Sequence, residues 1–425
     1  MTATAAVSAA RRRLAAGRRI IAPVTFALIG VLDIVGFGLY ARHGDATFAF
    51  TPQFAKVTVP NLSLPAATTA YVCGAVAIAL AAARAVTHFG AAARRLSIGL
   101  VIFGFLFSLL CWADVGQSVP VNIVNLLQGT LAASIPLVLG ALAGCLCERS
   151  GVINIAIEGQ LLFGAFTAAV VASFYGALWL GLIAGSLAGA LLGALLAVFA
   201  IRYLVDQVVL GVVLNVFAAG LTGFLYDRAL VPDQNTLNSP ATFLPVKIPL
   251  LGDIPIIGPV LFDSSVFLYL SYVLLIAVQV GLFRTKWGLR VRAVGEHPTA
   301  ADTVGIRVLG TRYASVLLGG MIAGLGGAYL TIGSTGAFSP GISSGMGYIA
   351  LAALIFGRWT PLGALAAALL FGFTTELQAV LASINVPIPS SILLMTPYVA
   401  TIIAVAGLVG RVRAPAADGK PYVKA

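Results

Sequence analysis

Cys147-Glu148-Arg149-Ser150-Gly151-Val152-Ile153-Asn154-Ile155-Ala156-Ile157-Glu158-Gly159-Gln160 interrupts a long apolar region with two acids, an arginine, two amides and two glycines. The apolar runs on either side, 122 to 147 and 157 to 176, are each long enough to cross a bilayer, which takes about 20 mostly apolar residues. A polar break between two such runs marks a discontinuous helix. Broken backbone at membrane depth is tolerated only where it is buried in protein or lines a water-filled cavity, and its free ends can then hydrogen-bond a polar solute.

Composition agrees with a membrane setting. The 425 residues are 60% hydrophobic and 9% charged, where soluble domains carry roughly 25% charged residues. The 47 glycines and 20 prolines would weaken soluble helices, but membrane helices tolerate them because neighbouring helices and polar side chains satisfy the freed backbone groups.

Scanning outward from the break gives twelve apolar stretches of spanning length: 20 to 41, 67 to 86, 96 to 116, 122 to 147, 157 to 176, 178 to 202, 207 to 227, 265 to 284, 312 to 333, 340 to 357, 361 to 383 and 391 to 410. The expected fold class is therefore all-α, a polytopic transmembrane bundle of about twelve crossings with some discontinuous helices. The first run follows an arginine cluster as a signal peptide would, but it is long enough to span and shows no clear cleavage site. It reads as a retained first helix.

The net charge of +11 raises the question of nucleic acid. Position answers it, because the basic residues fall in short clusters between apolar runs, as in Arg11 to Arg19, Arg84 to Arg95 and Arg284 to Arg312. Placing both termini in the cytoplasm puts 21 of the 25 Lys and Arg residues inside and leaves only Arg42, Lys56, Arg228 and Lys247 outside. That is the inside-positive pattern of a plasma-membrane protein, with no nucleic-acid partner implied. A composition break at Ser118-Val119-Pro120 separates an accessory transmembrane extension, 1 to 120, from a core of 121 to 412 and a cytoplasmic tail of 413 to 425.

No catalytic residue stands out. The chain has no Gly-x-x-x-x-Gly-Lys-Ser/Thr loop to cradle ATP phosphates. Its histidines, at 43, 88 and 297, are too dispersed for a metal site or a nucleophile relay. The four cysteines lie in or beside apolar stretches with no metal-type pairing, so neither a zinc site nor a disulfide framework is expected.

Glu158 is the leading candidate for the solute path, since a charge within the membrane is costly and is by default a functional candidate. An architectural reading stands beside it, in which Glu158 caps a helix or pairs with Arg149. Asn154, Gly159 and Gln160 belong to the same break, and Asn215 and Gln128, amides in other helices, extend the candidate path. Asp33 and Glu376 read as structural or interfacial.

A second constellation lies in the longest inner loop. In Gly295-Glu296-His297-Pro298-Thr299-Ala300-Ala301, followed by Gly305, the proline suits the first turn of a short helix, the small residues permit close approach of a partner, and Gly305 can end the helix. Ordinary inside-positive charge would explain the arginines alone, but not this start, small face and stop. A third stretch, Phe338 to Pro361, places small residues before an apolar helix, a pattern suited to close helix packing, with a gate or solute-lining surface as its functional alternative.

Together the three stretches resemble the membrane permease of bacterial ABC importers in the branched-chain amino acid, ribose and nucleoside superfamily, closest to its nucleoside and simple-sugar branch. Glu148 to Gly159 is the specific marker, Gly295 to Ala301 is similar to the loop that meets the ATPase, and Gly347 to Pro361 is a supporting match. The likeness covers roughly residues 120 to 412, and His297 stands where that branch more usually has asparagine. The resemblance implies a pore of two permease subunits, identical or related, with two cytoplasmic ATPase subunits hydrolysing ATP and an extracytoplasmic lipoprotein delivering solute. It implies no cofactor on this chain. The expected function is nucleoside import. The alternatives are a ribose-like or inositol permease and an ion-coupled carrier that loads a proton on Glu158; a purely structural scaffold is disfavoured by the polar breaks.

Overall fold

The computed structural model describes residues 21–40, 44–51, 58–87, 89–117, 119–384, 386, 388–395 and 413–424. They form two compact units, residues 1–124 with 380–388, and residues 125–379 with 389–425. The division falls four residues after the expected end of the extension, and the first unit also takes in a stretch of late sequence that no N-terminal boundary would include.

In the first unit, α1 (Ile21–Leu39), α2 (Ala66–Val86) and α3 (Ala91–Asp114) pack with β1 (Asp45–Ala49), β2 (Leu62–Pro65) and β3 (Val121–Asn122). β1 pairs antiparallel with β2 and parallel with β3. The Asp114 carboxylate ties sheet to helix by accepting from Thr47 N–H at 2.6 Å and Val121 N–H at 2.9 Å. α1 and α2 meet at glycines: a Cβ on Gly30 would lie 2.7 Å from the Gly74 carbonyl. Asp33, which opens the π-helical turn Asp33–Leu39, is buried at this crossing.

The second unit contains α4 (Ile123–Glu148) from residue 125 onward, α5 (Ile157–Tyr175), α6 (Leu178–Ala197), α7 (Gln207–Leu225), α8 (Gln234–Leu237), α9 (Ile257–Phe262), α10 (Val266–Arg284), α11 (Lys286–Glu296), α12 (Pro298–Thr303), α13 (Val308–Leu330), α14 (Met346–Phe356), α15 (Pro361–Ser383) up to residue 379, and α16 (Ser390–Leu394). The short strands β4 (Val246–Lys247) and β5 (Asp263–Ser264) pair between them. Helix ends follow local chemistry. Asp206 starts α7 by accepting from the Val208 and Val209 N–H groups at 2.9 Å each, and Gly176, at φ +63°, stops α5.

α5, α6 and α13 form the centre of this unit, touching backbone to backbone through glycine. A Cβ on Gly189 of α6 would sit 2.6 Å from the Gly324 Cα of α13, and one on Gly181 would sit 2.7 Å from the Ala168 carbonyl of α5. Small residues at crossings are how helices approach closely where lipid supplies no hydrophobic drive for association. α4 is buried over most of its length, whereas α6 and α7 keep apolar residues such as Leu187, Leu191, Val213 and Val216 exposed. Those exposed faces suit acyl chains.

Among the described residues ten helices are long and apolar enough to cross a membrane, so the fold is all-α and multi-pass while the expected count of about twelve is not reached. The stretch 340 to 357 contributes only the 11-residue α14. Its first residues turn instead of spiralling: Gly341 and Gly345 have φ of +71° and +80°. Most of the stretch 391 to 410 lies outside the described residues.

Candidate functional site

The break is a knot of side-chain to backbone hydrogen bonds at one end of the second unit. α4 ends at Glu148, the chain turns through Gly151 at φ +88°, and α5 resumes at Ile157. Two helix ends therefore leave N–H and C=O groups unpaired within the helices, and nearby polar residues take them up.

Glu158, in the first turn of α5, fastens α14. Its Oε1 accepts from the Ser343 hydroxyl at 2.6 Å and Gly345 N–H at 2.8 Å, and its Oε2 accepts from Gly347 N–H at 2.6 Å. A carboxylate at a helix N-terminus meets both unpaired N–H groups and the positive end of the helix dipole. Glu158 thus caps a helix that is not its own, and both oxygens are occupied.

Asn215 of α7 ties together three elements. Its Oδ1 accepts from Gly159 N–H at 2.8 Å, and its Nδ2 donates to the Ile155 carbonyl at 2.9 Å and the Tyr348 hydroxyl at 3.1 Å. Gly159 suits this close contact, since a Cβ there would lie 3.1 Å from both the Asn215 Oδ1 and the Ala218 Cβ, tighter than ordinary packing. Asn154 and Gln160 are fully buried and pair with each other, Nδ2 to Oε1 at 3.0 Å. Asn154 Oδ1 and Gln160 Nε2 have no partner among the described residues, and such groups are costly unless something meets them.

Gln128 does not join this group. It lies 20 residues before Glu148 on the same helix, which at 1.5 Å per residue places it about 30 Å away, and its Nε2 donates to the Pro259 carbonyl at 2.9 Å. Gln207, which no motif marks, does join: its Oε1 accepts from Ile153 N–H at 2.7 Å. Asn238 was likewise unmarked, yet it brackets the stretch before α14, accepting from Phe338 N–H at 2.7 Å and donating to the Phe338 carbonyl at 2.9 Å.

Glu148 and Arg149 clamp the turn between α14 and α15. Glu148 accepts from the Trp359 indole N–H, while Arg149 Nε donates to the Trp359 carbonyl at 2.7 Å and Nη2 to the Arg358 carbonyl at 3.3 Å. Arg358 and Trp359 both adopt left-handed φ, +55° and +53°. Strained backbone of this kind persists only when its surroundings hold it. Glu376, on α15, packs against Gly129 of α4 instead.

The second constellation is a short helix with one buried and one open face. Pro298 occupies the first turn of α12, and Gly305, at φ +83°, lies just beyond its end. Glu296, His297, Thr299 and Ala300 are exposed. Gly295 and Ala301 face inward instead: Ala301 packs with Val294, Val308 and Tyr422, and Gly295 sits directly on the Arg149 carbonyl. Their small size serves internal packing, and the open face consists of the residues around them. The Gly295 to Arg149 contact joins the loop that carries α12 to the end of α4. Among the described residues no group of three or more His, Cys, Asp or Glu side chains is placed to hold a metal ion.

Residues 126–410 match the family described as the permease component of the branched-chain amino acid transport system. The chain is 43% identical over 311 residues to the guanosine ABC transporter permease protein NupQ of Bacillus subtilis, an alignment covering 70% of this chain and 96% of that protein. It is 41% identical over 316 residues to the nucleoside ABC transporter permease protein NupC of Lactococcus lactis subsp. cremoris, covering 71% and 99% of the two chains. The putative glucose ABC transporter permease protein TsgC13 of Haloferax volcanii is 35% identical over 254 residues, 60% of this chain and 77% of that one. No solved structure matches. With its polar break, its short open-faced helix and these matches, the chain belongs to the branched-chain amino acid transport system permease family of ABC transporters.

Proposed function

We propose that this chain is the membrane subunit of an ATP-driven importer of nucleosides, located in a bacterial plasma membrane with both termini in the cytoplasm. The chain hydrolyses nothing and binds no cofactor; ABC ATPase subunits docked on α12 hydrolyse ATP. A second permease subunit, identical or related, completes the pore, and a lipoprotein supplies solute from the far side. The observation that carries this reading is the pairing of an exposed short helix, Pro298–Thr303, with the backbone contact of Gly295 on Arg149. A displacement of α12 would reach the end of α4 through that contact, and a motor can drive a membrane state only through an element whose position differs between states.

In this reading Asn154, Glu158, Gly159, Gln160 and Asn215 border the solute route. Gln128 lies outside that group. Glu296, His297, Thr299 and Ala300 offer the motor-facing surface, with Gly295, Pro298, Ala301 and Gly305 shaping it. The nucleoside assignment is supported by two relatives, named for guanosine and nucleoside transport, that align over nearly their whole length. A sugar is the second reading, supported by the glucose-named relative. An ion-coupled carrier loading its proton on Glu158 is disfavoured by the three donors already bound to that carboxylate.

Vesicles containing the chain together with the ABC ATPase, second permease and binding protein it is proposed to work with are the test. ATP-dependent, saturable uptake of labelled guanosine or uridine is expected. Uptake of labelled ribose or glucose with no nucleoside uptake would replace the cargo, and uphill uptake by the chain alone on an ion gradient would remove the motor.

A further inference from the structure

The end of the chain is built into the surroundings of α12. From 413 to 424 it has neither helix nor strand, yet it is anchored at five points. Ala417 N–H donates to the Gly295 carbonyl at 2.9 Å, and Ala416 N–H donates to the Glu296 carboxylate at 3.2 Å. The Lys420 carbonyl accepts from Arg312 Nη1 at 3.0 Å. Tyr422 is buried against Val294, Ala301 and Val308. A Cβ on Gly419 would lie 2.7 Å from Ile153, within the break itself.

These anchors divide between two groups of residues. Gly295, Glu296 and Ala301 belong to α12 and its approach, while Ile153 belongs to the break; the Ala417 carbonyl also lies where a Cβ on Gly151 would meet it at 3.0 Å. Arg312 shows how closely the segment is integrated. It is buried, and its Nη1 donates to the Lys420 carbonyl, while Nε and Nη2 lack a partner among the described residues. Removing the segment would leave a buried guanidinium without that partner, so a casual surface attachment does not describe it.

We propose that residues 413–424 are a positioning element of the import cycle, a splint that makes α12 and the 148–154 break move as one body. The proposal rests on α12 being the motor contact. Without the splint, α12 bears on the break through the Gly295 to Arg149 contact, and Tyr422 no longer fills the space behind Ala301. Motion of α12 would then pass through that single contact alone, be partly absorbed around it, and reach Asn154 and Glu158 only weakly.

The test uses the complete assembly in vesicles, with ATP hydrolysis and solute uptake measured on the same preparation. The full chain, a chain stopped after residue 412, Tyr422→Ala and Tyr422→Phe are compared. We expect the truncated chain and Tyr422→Ala to assemble and to hydrolyse ATP while uptake per ATP falls about tenfold, a size ordinary for coupling between sites. Tyr422→Phe, which keeps the buried ring, should restore the full ratio. Uptake per ATP unchanged in Tyr422→Ala overturns the splint. So does an equal loss in the Phe and Ala variants, which would point to the hydroxyl rather than to packing. Should the truncated chain fail to assemble, the Ala and Phe pair decides. A full chain showing no ATP-dependent uptake refutes the importer reading instead, which keeps the two failures apart.

Discussion

Glu158 of α5 holds Gly347 of α14, its Oε2 accepting the Gly347 N–H at 2.6 Å across 189 residues of chain. A helix of 11 residues is too short to be stable alone in water. This carboxylate, from a different helix, sets where it begins.

Replacing Glu158 should therefore loosen α14 before anything else. Hydrogen bonds to a charged group contribute about 1.5 to 3 kcal/mol each. Glu158 is only half-buried, so water takes over part of what its three donors lose. Glu158→Ala should then lower stability by about 3 kcal/mol, less than the sum of the three, with Glu158→Gln in between. Thermal unfolding of the detergent-purified protein reads this directly. A midpoint equal to that of the unaltered chain would show that α14 holds its place without the carboxylate.

Asn215→Ala leaves three groups without their partner: Gly159 N–H, the Ile155 carbonyl and the Tyr348 hydroxyl. An unsatisfied buried polar group costs about 1 to 3 kcal/mol. Asn215→Asp keeps the acceptor for Gly159 and loses the donors. Stability and uptake should fall in the order unaltered chain, Asp, Ala. Tyr348→Phe, which removes one partner only, should be milder than either substitution.

Two glycines separate packing from propensity. A Cβ on Gly324 would lie 3.0 Å from the Gly189 Cα and closer still to the Gly185 carbonyl, while a Cβ on Gly220 meets nothing within 4 Å. Gly324→Ala should destabilise by about 1 to 3 kcal/mol through overpacking. Gly220→Ala, in the interior of α7, should be neutral or stabilise by up to about 1 kcal/mol. If both changed the unfolding midpoint alike, backbone contact would not be what holds the central helices together.

Substituting alanine at Glu296 and valine at Thr299 should reduce ATP-driven uptake about tenfold while membrane insertion and solute binding persist. Both side chains are exposed. Hydrolysis and uptake measured together would show the two activities parting. Full uptake by the double variant would mean that the motor docks elsewhere.

Asp418 gives the docked tail a pH dependence. Burial pushes its carboxyl up to about 7, with the Gly419 N–H and Arg312 pulling the other way. Glu148, from the end of α4, is the acid that faces it. The folded value stands above the ordinary 3.8, so the docked state binds the proton more tightly than the free segment does. Docking is then strongest at acid pH, weakens as pH rises from about 4 to about 7, and levels off above. The thermal midpoint followed from about pH 5 to about pH 8 should decline in the unaltered chain and decline less steeply in Asp418→Asn, where the buried Glu148 remains. Equal slopes in the two proteins would assign the dependence to another group.

Much of the architecture could be read from residue order, because a bilayer forces long apolar runs and penalises polar interruptions within them. The break stood out for that reason, and α12 was marked by Pro298 and Gly305. Partnerships across distance were not legible. Glu158 suggested a cap or an ion pair with Arg149, and nothing in the order of residues indicated that its donors would come from Ser343, Gly345 and Gly347. Gln128 and Asn215 looked alike as lone amides on helices, yet tertiary packing put only Asn215 at the break. The run from 340 to 357 misled the count because Gly341 and Gly345 spend its first residues on left-handed turns. Residues 413 to 424 carry no periodic pattern, so their docking was invisible until the fold supplied Gly295 and Arg312.

Because α5, α6 and α13 touch through main chain at Gly185, Gly189 and Gly324, no layer of side chains lies between them to change rotamer and let one helix slide past another. Any opening of a passage must carry these three as a single slab.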